Sequence, residues 1–375
     1  MPQTKLRGEF NDNRRMTTGP HESIFGMQVE AGGSFDYDSE VLDLNLTPLG
    51  RFVRYTGADD LDSETGSVDA SGLRKFERWA MGLGTNFTRD TTLVTELDTT
   101  GQIAANKYVN SASVQPYVSY IISEIDSLRL QYGYTDVSYE DAQGTGFRDY
   151  TYASASATWS HVFSEKNQAT ASVYYNDYDV PDDQSPSQTD TYGLQATWKH
   201  KFSSTLDATV GAGVLVSKAD FVALALAGNQ FVLLPQDSSD NGYTVMADVI
   251  KKFERGNLSV NFSRNVYPSS RGAQVIRTDL KAEYYYRFTP YFAGAVGGRY
   301  INAESQRPDQ ATISDLNRDY YQVYARLGYR ISPHWEATGA YYFSDQKFSQ
   351  ATSSANANSV HLILQYNGDS LTLLR

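Results

Sequence analysis

The feature that most restricts this chain is a two-residue alternation repeated along most of its length. From Tyr321 the apolar positions are Tyr321, Val323, Ala325, Leu327, Tyr329 and Ile331, separated by Gln322, Tyr324, Arg326, Gly328 and Arg330. From Ile276 one set reads Ile276, Leu280, Ala282, Tyr284, Tyr286 and Phe288, interrupted by Thr278. The other reads Arg277, Asp279, Lys281, Glu283, Tyr285 and Arg287. Leu206, Ala208, Val210, Ala212, Val214 and Val216 alternate in the same way with a mostly small or polar set. Successive side chains of a strand point to opposite faces, so each segment presents one apolar and one polar wall.

The connections follow a second rhythm. Tight turns at Ser164–Asn167, Ser203–Ser204, Glu254–Gly256, Thr289–Pro290 and Ser332–Pro333 alternate with long polar stretches at 57–72, 140–148, 181–188, 220–241, 304–318 and 347–357. Short periplasmic turns and longer extracellular loops are the outer-membrane pattern. The predicted fold class is all-β, a transmembrane antiparallel up-and-down β-barrel of about 18 strands. Strands are expected to start near residues 4, 22, 40, 73, 91, 111, 126, 149, 168, 189, 205, 242, 257, 274, 291, 319, 334 and 358. Residues 1–375 form one domain, with 367–375 as a tail or the end of the last strand. A soluble propeller would also alternate, but it would show a blade repeat of about 40–50 residues, and none is present.

Composition agrees. Only 40% of residues are hydrophobic and mean hydropathy is −0.48, yet there are 28 Tyr, 17 Phe and 4 Trp. Such a mixture suits a sheet with lipid on one side and water on the other. On the lipid side Trp159, Phe163, Trp198, Phe202, Phe253, Phe288 and Trp335 fall beside the short turns, as a periplasmic aromatic girdle would. Tyr175, Tyr300, Tyr341 and Phe343 fall near the long loops. No cysteine is present and the net charge is −12, which excludes a disulfide framework and disfavours nucleic acid as a partner. No run approaches the roughly 18 apolar residues of a transmembrane helix. Met1–Lys5 leads into no apolar signal-peptide core, so the chain is expected to be the mature form of an exported protein, located in the outer membrane.

The first strand reads Leu6-Arg7-Gly8-Glu9-Phe10-Asn11-Asp12-Asn13, a Gly-x-aromatic-x-Asp-Asn motif. Gly72-Leu73-Arg74-Lys75-Phe76-Glu77-Arg78 follows later, and Leu364-Gln365-Tyr366 precedes a short Leu-rich tail. Together these resemble the β-barrel porins encoded with bacterial exopolysaccharide and exosortase systems, over nearly the whole chain but through short motifs. The resemblance implies a channel conducting a secreted exopolysaccharide across the outer membrane with a periplasmic export apparatus. The residues themselves are equally compatible with a general or substrate-specific diffusion porin for small solutes. A barrel of this size is too wide for side chains alone to fill.

Predicted inward positions include Lys199, Lys201, Arg277, Lys281, Arg287, Arg299, Arg326 and Arg330, interleaved with Tyr117, Tyr285, Tyr324 and Tyr342. They could present a basic, aromatic wall to an anionic sugar polymer, or form cross-strand pairs with Asp279, Glu283 and other carboxylates. The stretch 220–241 is too apolar for a solvated loop. It predicts a constriction carrying Phe221, Leu224, Leu226, Phe231 and Leu233, or else an extension of the flanking strands above the membrane. Asp59, Asp60, Asp62, Glu64 and Asp69 make 57–72 an acidic loop matching no ordered calcium motif. Five His are present. Only His21, beside Glu22 and Ser23, falls in an outer loop, so enzymatic activity is not expected, nor is a metal or cofactor. The expected partners are outer-membrane lipid and lipopolysaccharide. No distinct trimer-forming flank is legible, which points to a monomer.

Overall fold

The computed structural model describes residues 1–98, 106–182, 186–227, 230–305 and 317–369. Its strands are β1 (Pro2–Asn11), β2 (Ile24–Gly33), β3 (Phe35–Asp38), β4 (Leu42–Thr56), β5 (Ser63–Lys75), β6 (Trp79–Thr91), β7 (Tyr108–Ile121), β8 (Asp126–Tyr139), β9 (Tyr150–Ser164) and β10 (Asn167–Val180). They continue as β11 (Ser187–Ser203), β12 (Leu206–Ala227), β13 (Gln230–Phe253), β14 (Gly256–Tyr267), β15 (Val275–Arg287), β16 (Phe292–Ser305), β17 (Arg318–Arg330), β18 (Trp335–Phe348) and β19 (Ala355–Asn367). β2 and β3 both pair with β4 and are two parts of one strand broken at Ser34. The gap between Gly32↔Leu49 and Phe35↔Leu46 falls at Thr47 and Pro48, and Pro48 has no N–H to give the ladder. The described residues therefore form eighteen strands, each antiparallel to the next.

The sheet closes on itself. β1 pairs with β2 from Pro2↔Gly33 to Asn11↔Ile24, and with β19 from Gln3↔Asn367 to Asn11↔Ser359. Among the described residues β1 is thus paired on both sides, and the seam leaves no open edge to lipid, where an unpaired backbone group would be costly. The Asp12–Asn13 end of the first-strand motif stitches this seam. Asp12 accepts hydrogen bonds from the backbone N–H and side-chain amide of Asn358, both at 2.7 Å. Asn13 donates to the carbonyls of Thr17 and Asn356.

Register fixes which side each residue faces. Val214, Leu194, Val323 and Leu362 are all more than half exposed, Leu362 at 69%. An apolar belt this open belongs in a bilayer. Trp159, Phe163, Trp198, Phe202, Phe253, Phe288 and Trp335 stand exposed on the same outer surface beside the short turns. Alternate residues point inward, where the room is scarce in places. The Tyr117 and Tyr174 rings lie over Gly82 and Gly193, and a Cβ there would fall 2.2 and 2.1 Å from a ring atom.

Three segments depart from the sequence reading. The stretch 57–72 is connection only as far as Asp62, because Ser63–Lys75 is β5, paired with β4 from Val53↔Ser63 to Leu42↔Arg74. β5 is mostly Ser, Gly, Thr and acid, so it carries no apolar wall to announce it. Consequently the strands expected at 73 and 91 begin at Ser63 and Trp79. Thr92–Asp98 is a short helix, α1. Finally, 220–241 is not a loop but the expected alternative, an extension of the flanking strands. β12 and β13 continue as a two-stranded ladder through Phe221↔Gln236, Leu224↔Leu233 and Leu226↔Phe231 to Ala227↔Gln230. β11 stops opposite Phe221 and β14 opposite Val245, so the outer part of the hairpin has no lateral strand. The side chains of 223–233, and hence of Leu224, Leu226, Phe231 and Leu233, lie outside the described residues.

Candidate solute pathway through the lumen

Five connections at the long-loop end enter the barrel. Leu61, from the short 3-10 turn Asp59–Leu61, and Leu93 of α1 pack on the inward side chains of Ile24, Val53 and Tyr55. Met16 from the first loop joins them. This small apolar core (all but Met16 buried) fixes three loops to the inner wall, by the same burial that stabilises a soluble domain. α1 is closed at its base by paired bonds between Thr92 and Lys107: the Thr92 N–H donates to the Lys107 carbonyl at 2.9 Å, and the Lys107 N–H to Thr92 Oγ1 at 3.0 Å.

The β14–β15 connection crosses to a different part of the wall. Tyr178 Oη on β10 donates to the Ser269 carbonyl at 2.6 Å, and Ser187 Oγ on β11 to the Gly272 carbonyl at 2.9 Å. Thr191 Oγ1, also on β11, donates to Gln274 at 3.1 Å. The β8–β9 connection meets it through Arg148 N–H to the Ser270 carbonyl and Arg271 to the Thr145 carbonyl. Ser269, Ser270, Ala273 and Gln274 are all 2% exposed or less. α1 joins the same assembly through Glu96, which accepts hydrogen bonds from Ser270 Oγ at 2.8 Å and Tyr139 Oη at 3.2 Å. Buried polar groups so fully paired make a rigid inner layer, and it narrows the outer mouth.

Below this layer the wall is charged along β15–β17. Asp279 takes Arg299 at 2.7 Å and Arg277 at 3.6 Å. Glu283 receives Arg326 at 2.8 Å and the Tyr324 hydroxyl at 2.6 Å. Tyr342 lies between Tyr324 and His361 in tilted ring contacts, with centroids 5.6 and 4.8 Å away. Tyr285 faces inward between Asn257 and Ala295. Arg277, Arg299 and Arg326 are thus engaged with carboxylates. Lys199, Lys201, Lys281, Arg287 and Arg330 make no ion pair among the described residues, and all but Lys281 lie beside the short turns. Inward carboxylates beside the short turns are Asp207, opposite Lys201, Asp248, held by Asn261, and Glu336, opposite Arg330, with Asp36, Asp38 and Asp43 on the wall of β3 and β4.

A second charged cluster escaped the sequence reading. Arg7, Glu9, Arg14, Arg51, Glu30 and His361 line one polar compartment under the first three loops. Arg7 donates to Glu9 at 2.8 Å and contacts His361 Nε2 at 3.1 Å, while Arg14 lies 3.6 Å from Glu9. Arg51 bridges Glu30 at 3.5 Å and Asp90 at 3.4 Å. The signal was present in the first strand, where Lys5, Arg7 and Glu9 occupy every second position.

A closed eighteen-strand barrel with a lipid-ready exterior and a polar, loop-narrowed lumen is an outer-membrane β-barrel. No protein-family model and no curated protein matches the sequence. Among solved structures the chain is similar to OpdK from Pseudomonas aeruginosa, at 12% identity and TM-score 0.49, covering 97% of each chain. It is similar also to OccAB3 from Acinetobacter baumannii, at 11% identity and TM-score 0.46, covering 97% of this chain and 98% of that one. The ferric-catecholate import receptor Fiu from E. coli K12 matches at 10% identity and TM-score 0.46, over 98% and 82% of the respective chains. None of these likenesses bears on what passes through the lumen, and no family link to exopolysaccharide systems emerges from them.

Proposed function

We propose that the protein is a passive channel for small polar solutes with a preference for anions. One observation carries this reading: loops tied across the outer mouth by buried hydrogen bonds leave a narrowed path, and the inward cations without ion pairs gather at its other end. Narrowing favours small solutes over polymers. A basic mouth raises the local concentration of anions and speeds their entry. In this reading Lys199, Lys201, Lys281, Arg287 and Arg330 collect the solute. Arg277, Arg299 and Arg326, already paired, stiffen the wall, and Tyr285, Tyr324 and Tyr342 offer ring faces beside them.

Export of an exopolysaccharide is the second reading, supported by the resemblance of the first-strand motif. It requires the outer loops to withdraw far enough for a sugar chain. Liposome swelling separates the two. Proteoliposomes in isosmotic small organic anions should swell, and those in dextran should not. Passage of dextran at a rate near that of small anions would overturn the small-solute reading. Deleting the gene gives the cellular counterpart: reduced uptake with normal secreted polymer supports the solute channel, and the reverse supports the conduit.

A further inference from the structure

The lumen is two-sided. Along β7, β8, β9 and β10 the inward positions, fixed by the register of each ladder, carry a single charged residue, Arg129. Its guanidinium lies over the Tyr117 ring, 3.8 Å from the centroid. The rest of that wall is dominated by hydroxyls and amides. Ser154, Ser156 and Thr158 rise in one column on β9, and Thr170 and Ser172 in the next on β10. They touch laterally: Thr158 and Ser172 hydroxyls are 2.9 Å apart, and Thr170 pairs with Thr197 on β11. Eighteen strands place β8 and β9 half a circumference from β17 and β18, which carry Arg326, Arg330 and Glu336.

Each hydroxyl has one donor and two acceptor sites. A lateral pair uses one donor and one acceptor, leaving a donor and spare lone pairs for the lumen. Such a wall exchanges hydrogen bonds with a passing molecule as water does, at little enthalpic cost. It gives nothing to an alkyl chain, which loses no water there to advantage. The charged side meanwhile holds a carboxylate. We infer that the solutes best suited to this lumen are polyhydroxylated anions, the chemical class of sugar acids, with hydroxyls on the β7–β10 wall and the carboxylate toward β15–β18.

This inference rests on the anion-channel reading, and bi-ionic reversal potentials test the two separately. With gluconate on one side and hexanoate on the other, six-carbon monocarboxylates differing chiefly in hydroxyls, the wild-type channel should favour gluconate about fivefold, the worth of roughly one net hydrogen bond. The S156A/T158V/S172A variant should bring the two anions close to parity with chloride-over-potassium selectivity unchanged. The conservative S156T variant should retain the preference and serves as the folding control. A wild-type channel that is anion-selective but passes hexanoate as readily as gluconate overturns the sugar-acid inference alone. A cation-selective channel overturns the reading beneath it. Should the triple variant not fold, the wild-type ratio decides.

Discussion

Ser270 Oγ, in the β14–β15 connection, donates a 2.8 Å hydrogen bond to the carboxylate of Glu96 on α1, 174 residues earlier in the chain. Both residues are 1% exposed. This contact joins two inward-folded loops that originate on opposite parts of the barrel rim, and with Tyr139 it fixes how far the outer mouth is narrowed.

Removing that tie should widen the path. E96A removes the carboxylate that accepts from both Ser270 and Tyr139, at a cost of about 1–3 kcal/mol for a stranded polar group. The expected result in planar bilayers is a larger and noisier unitary conductance than wild type. S270A, which removes one of the donors to Glu96 among the described residues, should fall between the two.

The paired arginines have a different test. D279N removes the carboxylate held by both Arg277 and Arg299 and leaves two cations on the lumen wall. Anion selectivity should rise, and the increment should shrink toward 1 M salt as screening shortens to about 3 Å. Reversal potentials at two ionic strengths check this.

Reversing cations that make no ion pair among the described residues should act in the other direction. A K199E/K201E/K281E variant turns three positive inward positions negative. The chloride-over-potassium preference should fall, read from the shift of reversal potential toward the potassium limit. Thermal stability should fall slightly, because K201E sets a second carboxylate directly opposite Asp207.

The outer surface predicts a contrast between neighbours on one strand. Leu194 faces lipid and is 52% exposed, so L194R should cost about 2–4 kcal/mol near the bilayer midplane. Thr197, three residues along β11 and facing the lumen, should accept arginine with a far smaller loss. Urea unfolding in lipid vesicles, followed by heat-dependent gel mobility, measures the difference.

Much of the architecture was legible because lipid enforces period-two patterning wherever a strand crosses it. From β8 onward the expected strand starts fall close to the observed ones, apart from β13. The reading slipped at β5, where Gly66, Ser67, Ser71 and Gly72 leave no apolar wall to detect. At β12–β13 the apolar run left two possibilities open, a constriction or an extension of the flanking strands, and the ladder that continues to Ala227↔Gln230 is the second. The inward layer was not legible at all. Glu96, Ser270 and Tyr178 meet only because a closed sheet brings distant loops over the same opening, and nothing local in the sequence encodes that meeting. Arg7 and Glu9 were visible as alternating charges, but their neighbours Arg14 and His361 come from a loop and from the far side of the barrel seam.

The most direct test of this account is the zero-current potential of the purified protein in a planar bilayer under a KCl gradient. Stepwise, ohmic conductance with a reversal potential displaced toward the chloride limit is the result expected from a water-filled lumen with a basic inner mouth. A membrane that stays silent, or a potential displaced toward the potassium limit, would contradict it.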